Sequence, residues 1–249
     1  MRIVLILLSM LALAGCGPSD SGNNISVPVT SQTATPKVPP PAGKKWEQVV
    51  SKTAEGGYLM GNPNAPVKLL EYGSRGCPVC GAFANSGMRP LIDNYVDGGQ
   101  VSYEFREFWV HGAPDVAASL LGQCVGTDAF FPVLEQMYAN QPVFNEKLGK
   151  LTQQDQERLQ ALPATQMPAA MAEAAGYLDF IKQRGVPEPK ARQCLGDKKL
   201  LDALVAINKY GQDQMKVQGT PTFFINGSQV ENTVTWDALE TALKAAGAR

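Results

Sequence analysis

The sequence predicts an α/β fold: a central mixed sheet with a helical block inserted between its two halves. Three observations carry this. A β-α-β unit spans Val67 to Phe105. A long stretch of helical character follows, from about 114 to 216. The chain then closes on two short strands and a last helix.

Val67-Lys68-Leu69-Leu70-Glu71-Tyr72 reads as a buried strand, and Asn62-Pro63-Asn64-Ala65-Pro66 punctuates the chain before it. Cys80, Phe83, Ala84, Gly87, Leu91 and Tyr95 then share one helical face. Pro90 lies inside that helix and is expected to kink it by removing a backbone donor. Asp97-Gly98-Gly99 stops it, and Val101 to Phe105 alternates as a second strand. Such a unit makes a parallel pair. Pro114 and Asp115 suit a first helical turn, one for its fixed φ and one for its negative charge. Helices are expected on from there to Leu121, then over Phe130–Ala139, Pro168–Arg184 and Lys199–Met215. Gln141-Pro142, Leu162-Pro163 and Gly185-Val186-Pro187 separate them. Late in the chain, Thr222–Ile225 and Gln229-Val230 read as a hairpin around Asn226-Gly227. The last helix runs from about Trp236 to Ala245, with Thr235 as N-cap and an apolar stripe of Trp236, Leu239 and Leu243.

The N-terminus reads as an export signal. Arg2 precedes an apolar run, Ile3 to Leu13, that is too short to span a bilayer. It ends in Leu13-Ala14-Gly15-Cys16, which resembles the lipobox of bacterial lipoproteins, where the cysteine is acylated and becomes the new N-terminus. Residues 1–15 are therefore expected to be cleaved and Cys16 to carry lipid. Residues 16–44 are poor in large apolar side chains and rich in Ser, Thr, Asn, Gly and Pro, so they cannot bury enough surface to fold. They read as a tether, roughly 30 Å across as a flexible coil. Residues 45–249 fit one domain. Of five cysteines, an odd number for an exported protein, lipid on Cys16 leaves four, which make two pairs. A formal net charge of −1 and the lack of a basic patch argue against nucleic acid as a partner.

The chemistry concentrates at Cys77-Pro78-Val79-Cys80. Residues i and i+3 at the start of a helix lie on one side, close enough for their sulfurs to bond. Cys77 sits where unpaired N–H groups and the helix dipole favour negative charge, which makes it a thiolate nucleophile. Arg75 stands two residues upstream and could add positive potential. Cys80, one turn in and more buried, would resolve a mixed disulfide. Two other readings exist. A C-x-x-C can supply half a zinc tetrahedron, but the other half would have to come from Cys124, Cys194 or His111, which form no second close pair. A plain structural disulfide closing so short a loop would stabilise little. No cofactor or metal is expected.

At these residues the chain resembles the DsbA-like thioredoxin-fold proteins. Gly61 to Val67, Glu71-Tyr72, Cys77 to Cys80, Phe83 and Gly219 to Gly227 carry the likeness, which covers about residues 58 to 247. It implies a thioredoxin fold with an inserted helical subdomain. Pro221 stands where the family has a cis-proline facing the cysteine pair. Thr220 would then offer main-chain groups to an extended substrate segment, with Pro78 and Val79 also on the substrate side. Glu71 stands where the family has a buried acid, able to relay the proton of Cys80. Val79 departs from the pattern: DsbA has a histidine there, resembling a charge donor to the thiolate. A less oxidising pair than that of DsbA follows.

Cys124 and Cys194 fall in the insertion and read as a structural disulfide; two buried free thiols are the other reading. His111, the sole histidine, reads as a surface or loop residue. Trp46, Trp109 and Trp236 read as core or rim aromatics, and some of Phe83, Trp109 and the Thr220 loop as a groove for unfolded clients. The expected function is thiol–disulfide exchange on exported proteins. The expected location is the periplasm, held to a membrane through lipid on Cys16, with a membrane or periplasmic redox partner. Gly17 after Cys16 resembles outer-membrane sorting more than inner-membrane retention. A disulfide isomerase or reductase, and a tethered metal-handling protein, are the competing readings.

Overall fold

A computed structural model describes residues 36–249. The expected signal peptide, Cys16, Gly17 and most of the tether lie outside the described residues.

Among the described residues six strands form one sheet: β1 (Val50–Lys52), β2 (Tyr58–Gly61), β3 (Val67–Gly73), β4 (Val101–Glu107), β5 (Thr222–Ile225) and β6 (Ser228–Val230). Their order is β1-β2-β4-β3-β5-β6. β3 and β4 run parallel, in register from Val67 opposite Val101 to Gly73 opposite Glu107. The helix α1 (Pro78–Leu91) makes the crossover between them. The remaining neighbours are antiparallel. The sequence reading stopped the sheet at four strands. β1 and β2 are three and four residues long, too short for a period-2 pattern to be visible. They exist because β2 covers the open edge of β4.

The two faces of the sheet serve two cores, as the strand period of two requires. Val67 and Leu69 of β3, Tyr103 and Phe105 of β4, and Phe223 and Ile225 of β5 face one core. It is closed by α1, α3 (Phe130–Ala139) and α10 (Trp236–Ala245). Tyr72 and Phe224 face the other, under the helical insertion. The alternation also puts Glu71 on the face that carries α1. Thr235 caps α10, its Oγ1 accepting from the Ala238 N–H at 3.5 Å. Asn226 (φ 51°) and Gly227 (φ 85°) make the hairpin turn between β5 and β6.

Between β4 and β5 the chain is helical: α2 (Ala113–Cys124), α3, α4 (Gln141–Gly149), α5 (Gln153–Gln160), α6 (Met167–Ala175), α7 (Tyr177–Lys182), α8 (Glu188–Leu195) and α9 (Lys198–Asp213). The single helix expected over 168–184 is two. Gly176, at φ 81°, turns the chain between α6 and α7; only a residue without Cβ takes that angle freely. Past Pro90 the α ladder of α1 widens into a π turn over Ile92–Val96. The helix runs through Pro90 without a break before that turn begins.

Cys124 and Cys194 are bonded to each other, tying the end of α2 to α8 across 70 residues of chain. They are thus not available to complete a metal site with Cys77 and Cys80.

Candidate active site

Cys77 is the N-cap of α1 and Pro78 its first residue. Proline brings a helical φ and no N–H, so the first free donors belong to Val79 and Cys80. Both backbone N–H groups point at the Cys77 sulfur. Cys77 and Cys80 are both free thiols here, and both are buried.

The pair is electrostatically unequal. The Cys80 thiol beside it, more than anything else, holds Cys77 down at about 5; the Thr220 hydroxyl and the two helix N–H groups add to this, against the opposing effect of burial. Cys80 moves the other way. Burial, the hydrogen bond to Cys77 and the nearby Glu71 charge push its thiol well above the ordinary range. At neutral pH one sulfur is a thiolate and the other a thiol.

The Thr220–Pro221 peptide bond is cis and sets this loop across from the pair. As a thiol, Cys77 donates through Sγ to the Thr220 carbonyl at 3.3 Å. Once the proton leaves, that carbonyl has nothing to accept. The Thr220 hydroxyl, buried and without a partner, is then the donor that answers the charge.

Glu71 lies beneath the pair, 1% exposed. Tyr103 donates to its Oε2 at 2.7 Å, while Oε1 has no partner. Burial raises the Glu71 carboxyl to about 8; the Tyr103 hydrogen bond opposes this and the Cys77 charge adds to it. An acid poised near neutrality beside a high-pKa thiol can take and return a proton.

Two expectations change here. Arg75 does not face the thiolate. Its guanidinium is fully buried and pairs with Glu107 (Nε to Oε1, 2.8 Å), stacks over Phe130 at 4.9 Å, and packs so closely on Gly122 that a Cβ there would collide with it. The neutralised pair leaves Cys80, the Thr220 hydroxyl and the helix end to hold the charge. Phe83 lines no groove; it is buried against Phe223, ring centroids 4.8 Å apart. Val79 is 45% exposed, beside the nucleophile.

Three contributors were not visible in the sequence. Gln141, read there as part of a separator, opens α4. Its buried amide donates to the carbonyls of Arg75 and Cys77, both at 2.9 Å. Asp115 is buried and accepts from the N–H groups of Val110 and His111, both at 2.8 Å. His111, though exposed, stands 3.4 Å from Asp115, with both side chains beside Gly76. The lone histidine is therefore at the rim of the active site. The Gln-Pro dipeptide after α3 is a helix-start signal, but its reach to residues 64 positions upstream belongs to the tertiary fold.

Among the described residues no helix is long and apolar enough to cross a membrane, and no cluster of His, Cys, Asp and Glu gathers at metal-binding geometry.

A thioredoxin family model matches residues 53–245. Disulfide bond formation protein D of Bacillus subtilis is 25% identical over 195 residues, 76% of this chain and 77% of its own length. The crystal structure of a protein-disulfide isomerase from Novosphingobium aromaticivorans superposes with a TM-score of 0.71 at 28% identity, covering 75% of this chain and 95% of that one. An α-DsbA1 structure from Wolbachia pipientis gives 0.58 at 18% identity over 76% and 90%, which speaks for the fold alone. Against the Rickettsia protein-disulfide oxidoreductases, the chain spans 60% to 72% of the relative's length. With the family model covering most of the chain and an unequal cysteine pair at the helix end, the protein belongs to the thioredoxin family, among its DsbA-like thiol–disulfide oxidoreductases.

Proposed function

We propose that Cys77 exchanges disulfides with exported client proteins, Cys80 resolves the mixed disulfide, and Glu71 carries the proton. The observation behind this is the inequality of two sulfurs one helical turn apart, one held at about 5 and the other pushed well above 9.

As an oxidant, the protein holds a Cys77–Cys80 disulfide. A client thiolate attacks Cys77 Sγ, and Cys80 leaves, taking a proton from Glu71. A second client thiolate attacks the client sulfur of the mixed disulfide and expels Cys77 as a thiolate. Two electrons pass from client to protein. In reverse, the Cys77 thiolate attacks a client disulfide and expels one client sulfur as a thiolate. Cys80 then loses its proton to Glu71 and attacks Cys77 Sγ, which expels the second client sulfur and closes the Cys77–Cys80 disulfide. A low-pKa leaving group speeds the oxidative release. Thr220 and Pro221 present the client backbone as an added strand, with Pro78 and Val79 on the opposite side.

The Cys124–Cys194 bond is structural in this reading, remote from the exchange. The site is periplasmic, anchored through lipid on Cys16 and set off the membrane by residues 16–44, with an outer-membrane bias from Gly17. A membrane or periplasmic redox partner resets the pair. The likeness to the Novosphingobium protein-disulfide isomerase favours a second reading, in which the reduced pair reshuffles wrong disulfides.

The test is trapping. Cys80→Ala should accumulate client mixed disulfides on Cys77, and Cys77→Ala should accumulate none. Equal trapping by both variants would overturn the division of roles.

A further inference from the structure

A groove of about 830 Å³ that the exchange chemistry leaves unused opens between the loop after β4, α9 and the segment that leads to Thr220. Trp109 and Val110 form one side, Val205 and Lys209 of α9 another, and Lys216 and Gln218 a third. Two of its walls lead along the chain to residues that flank the nucleophile. Val110 adjoins His111, which stands beside Gly76, the residue before Cys77. Gln218 is two residues ahead of Thr220, whose carbonyl touches the Cys77 sulfur. A client segment entering on the Thr220 backbone therefore continues into this groove.

The groove is preformed. Asn208 Oδ1 accepts from the Trp109 N–H at 2.7 Å, which pins the loop after β4 to α9. The Val217 N–H donates to the Gly211 carbonyl at 3.0 Å, which pins the other wall to the same helix. A surface fixed before binding needs no ordering when the client arrives.

Its chemistry is apolar and cationic. Val110 and Val205 are 41% and 47% exposed. Lys209 and Lys216 are exposed, and no carboxylate lines the groove. Asp213 is the acidic residue nearest in sequence, and it meets Lys216 through its main-chain oxygen, at 2.7 Å. The two lysines thus share one groove with the exposed valines.

We propose that this groove selects clients: it takes an extended segment, flanking the reacting cysteine, that carries an apolar side chain and a carboxylate. The proposal rests on the exchange reading above and names its substrate class. Two single-cysteine peptides test it, presented as disulfides and differing only in Glu or Lys beside an apolar residue near the cysteine. Bis(2-hydroxyethyl) disulfide, uncharged and too small to fill the groove, serves as a control. The wild-type protein should exchange about tenfold faster with the Glu peptide at low salt, and the advantage should fade as salt screens it. Lys209→Glu combined with Lys216→Glu should invert the preference while leaving the rate with the uncharged disulfide and the reduction potential unchanged. Val205→Asp should slow both peptides and spare the uncharged disulfide. Equal rates for the two peptides in the wild type, or the same preference in the charge-reversed variant, would overturn the proposal. Loss of exchange with the uncharged disulfide in the wild type would instead remove the exchange reading, and this proposal with it.

Discussion

The Cys77 sulfur is held as a thiolate by Cys80, by the helix N–H groups and by the Thr220 hydroxyl, with no positive side chain in contact. Thr220→Val removes the one side-chain hydroxyl and should raise the Cys77 midpoint by about one unit, read from thiolate absorbance against pH; an unchanged midpoint would leave the helix end and Cys80 as the sufficient causes. Glu71 carries the opposite sign. Its folded value, about 8, lies above its unfolded one, so the fold is undisturbed below about 4.5 and loses stability as pH climbs towards 8. Glu71→Gln should therefore stabilise the reduced protein at pH 7 by about 2 kcal/mol in denaturant melts, while slowing the resolving step, since Cys80 loses its proton acceptor. A stabilisation over the wild type that is no larger at pH 7 than at pH 4 would contradict a buried, raised carboxyl. The C-x-x-C motif made both sulfurs legible, because helix-end physics depends only on local sequence. Arg75 was misread for the converse reason: its partner Glu107 is 32 residues away, and only the fold shows that its charge is already neutralised.

At the level of elements, the loop before α1 is held by the insertion as well as by the sheet. Gln141 at the start of α4 caps the carbonyls of Arg75 and Cys77 in a buried place. Gln141→Ala takes a donor from both carbonyls, of which that of Cys77 keeps the Gly81 N–H at 3.0 Å, and should cost about 1–3 kcal/mol in stability. It should also broaden the Cys77 titration, while leaving the Cys124–Cys194 bond intact. The bond between α2 and α8 acts elsewhere. Replacing both cysteines by serine should cost roughly 4 kcal/mol on the chain-entropy estimate for so long a loop, yet leave glutathione exchange at its wild-type rate. A variant as stable as wild type, or one with slowed exchange, would refute a purely structural role. The long helices and the hairpin were readable from apolar period, capping Thr235 and the Asn-Gly turn. The division at Gly176 and the short β1 and β2 were not, since a positive φ and an edge pairing are settled by what the segment packs against.

Across the whole molecule, the parallel β3-α1-β4 unit places the nucleophile at a helix end, β5 brings the cis-proline loop opposite, and the insertion closes the second side. The fold class followed from the order of elements; the opposition of residues 77 and 220 followed from the family likeness, and no pattern in the sequence locates the cationic groove. A thiolate at about 5 lies between those of DsbA, about 3.5, and thioredoxin, about 7. The reduction potential of the pair should accordingly fall between about −270 and −120 mV. A value at or above the DsbA figure would refute the reading of Val79 as a lost charge donor. The inequality of the two sulfurs is tested most directly by alkylating the reduced protein across a pH series and following each cysteine by peptide mass. Cys77 should be modified with a midpoint at about 5 while Cys80 stays unmodified through pH 9. Modification of both together with a midpoint near the free-thiol value of about 8.5, or of Cys80 first, would contradict it.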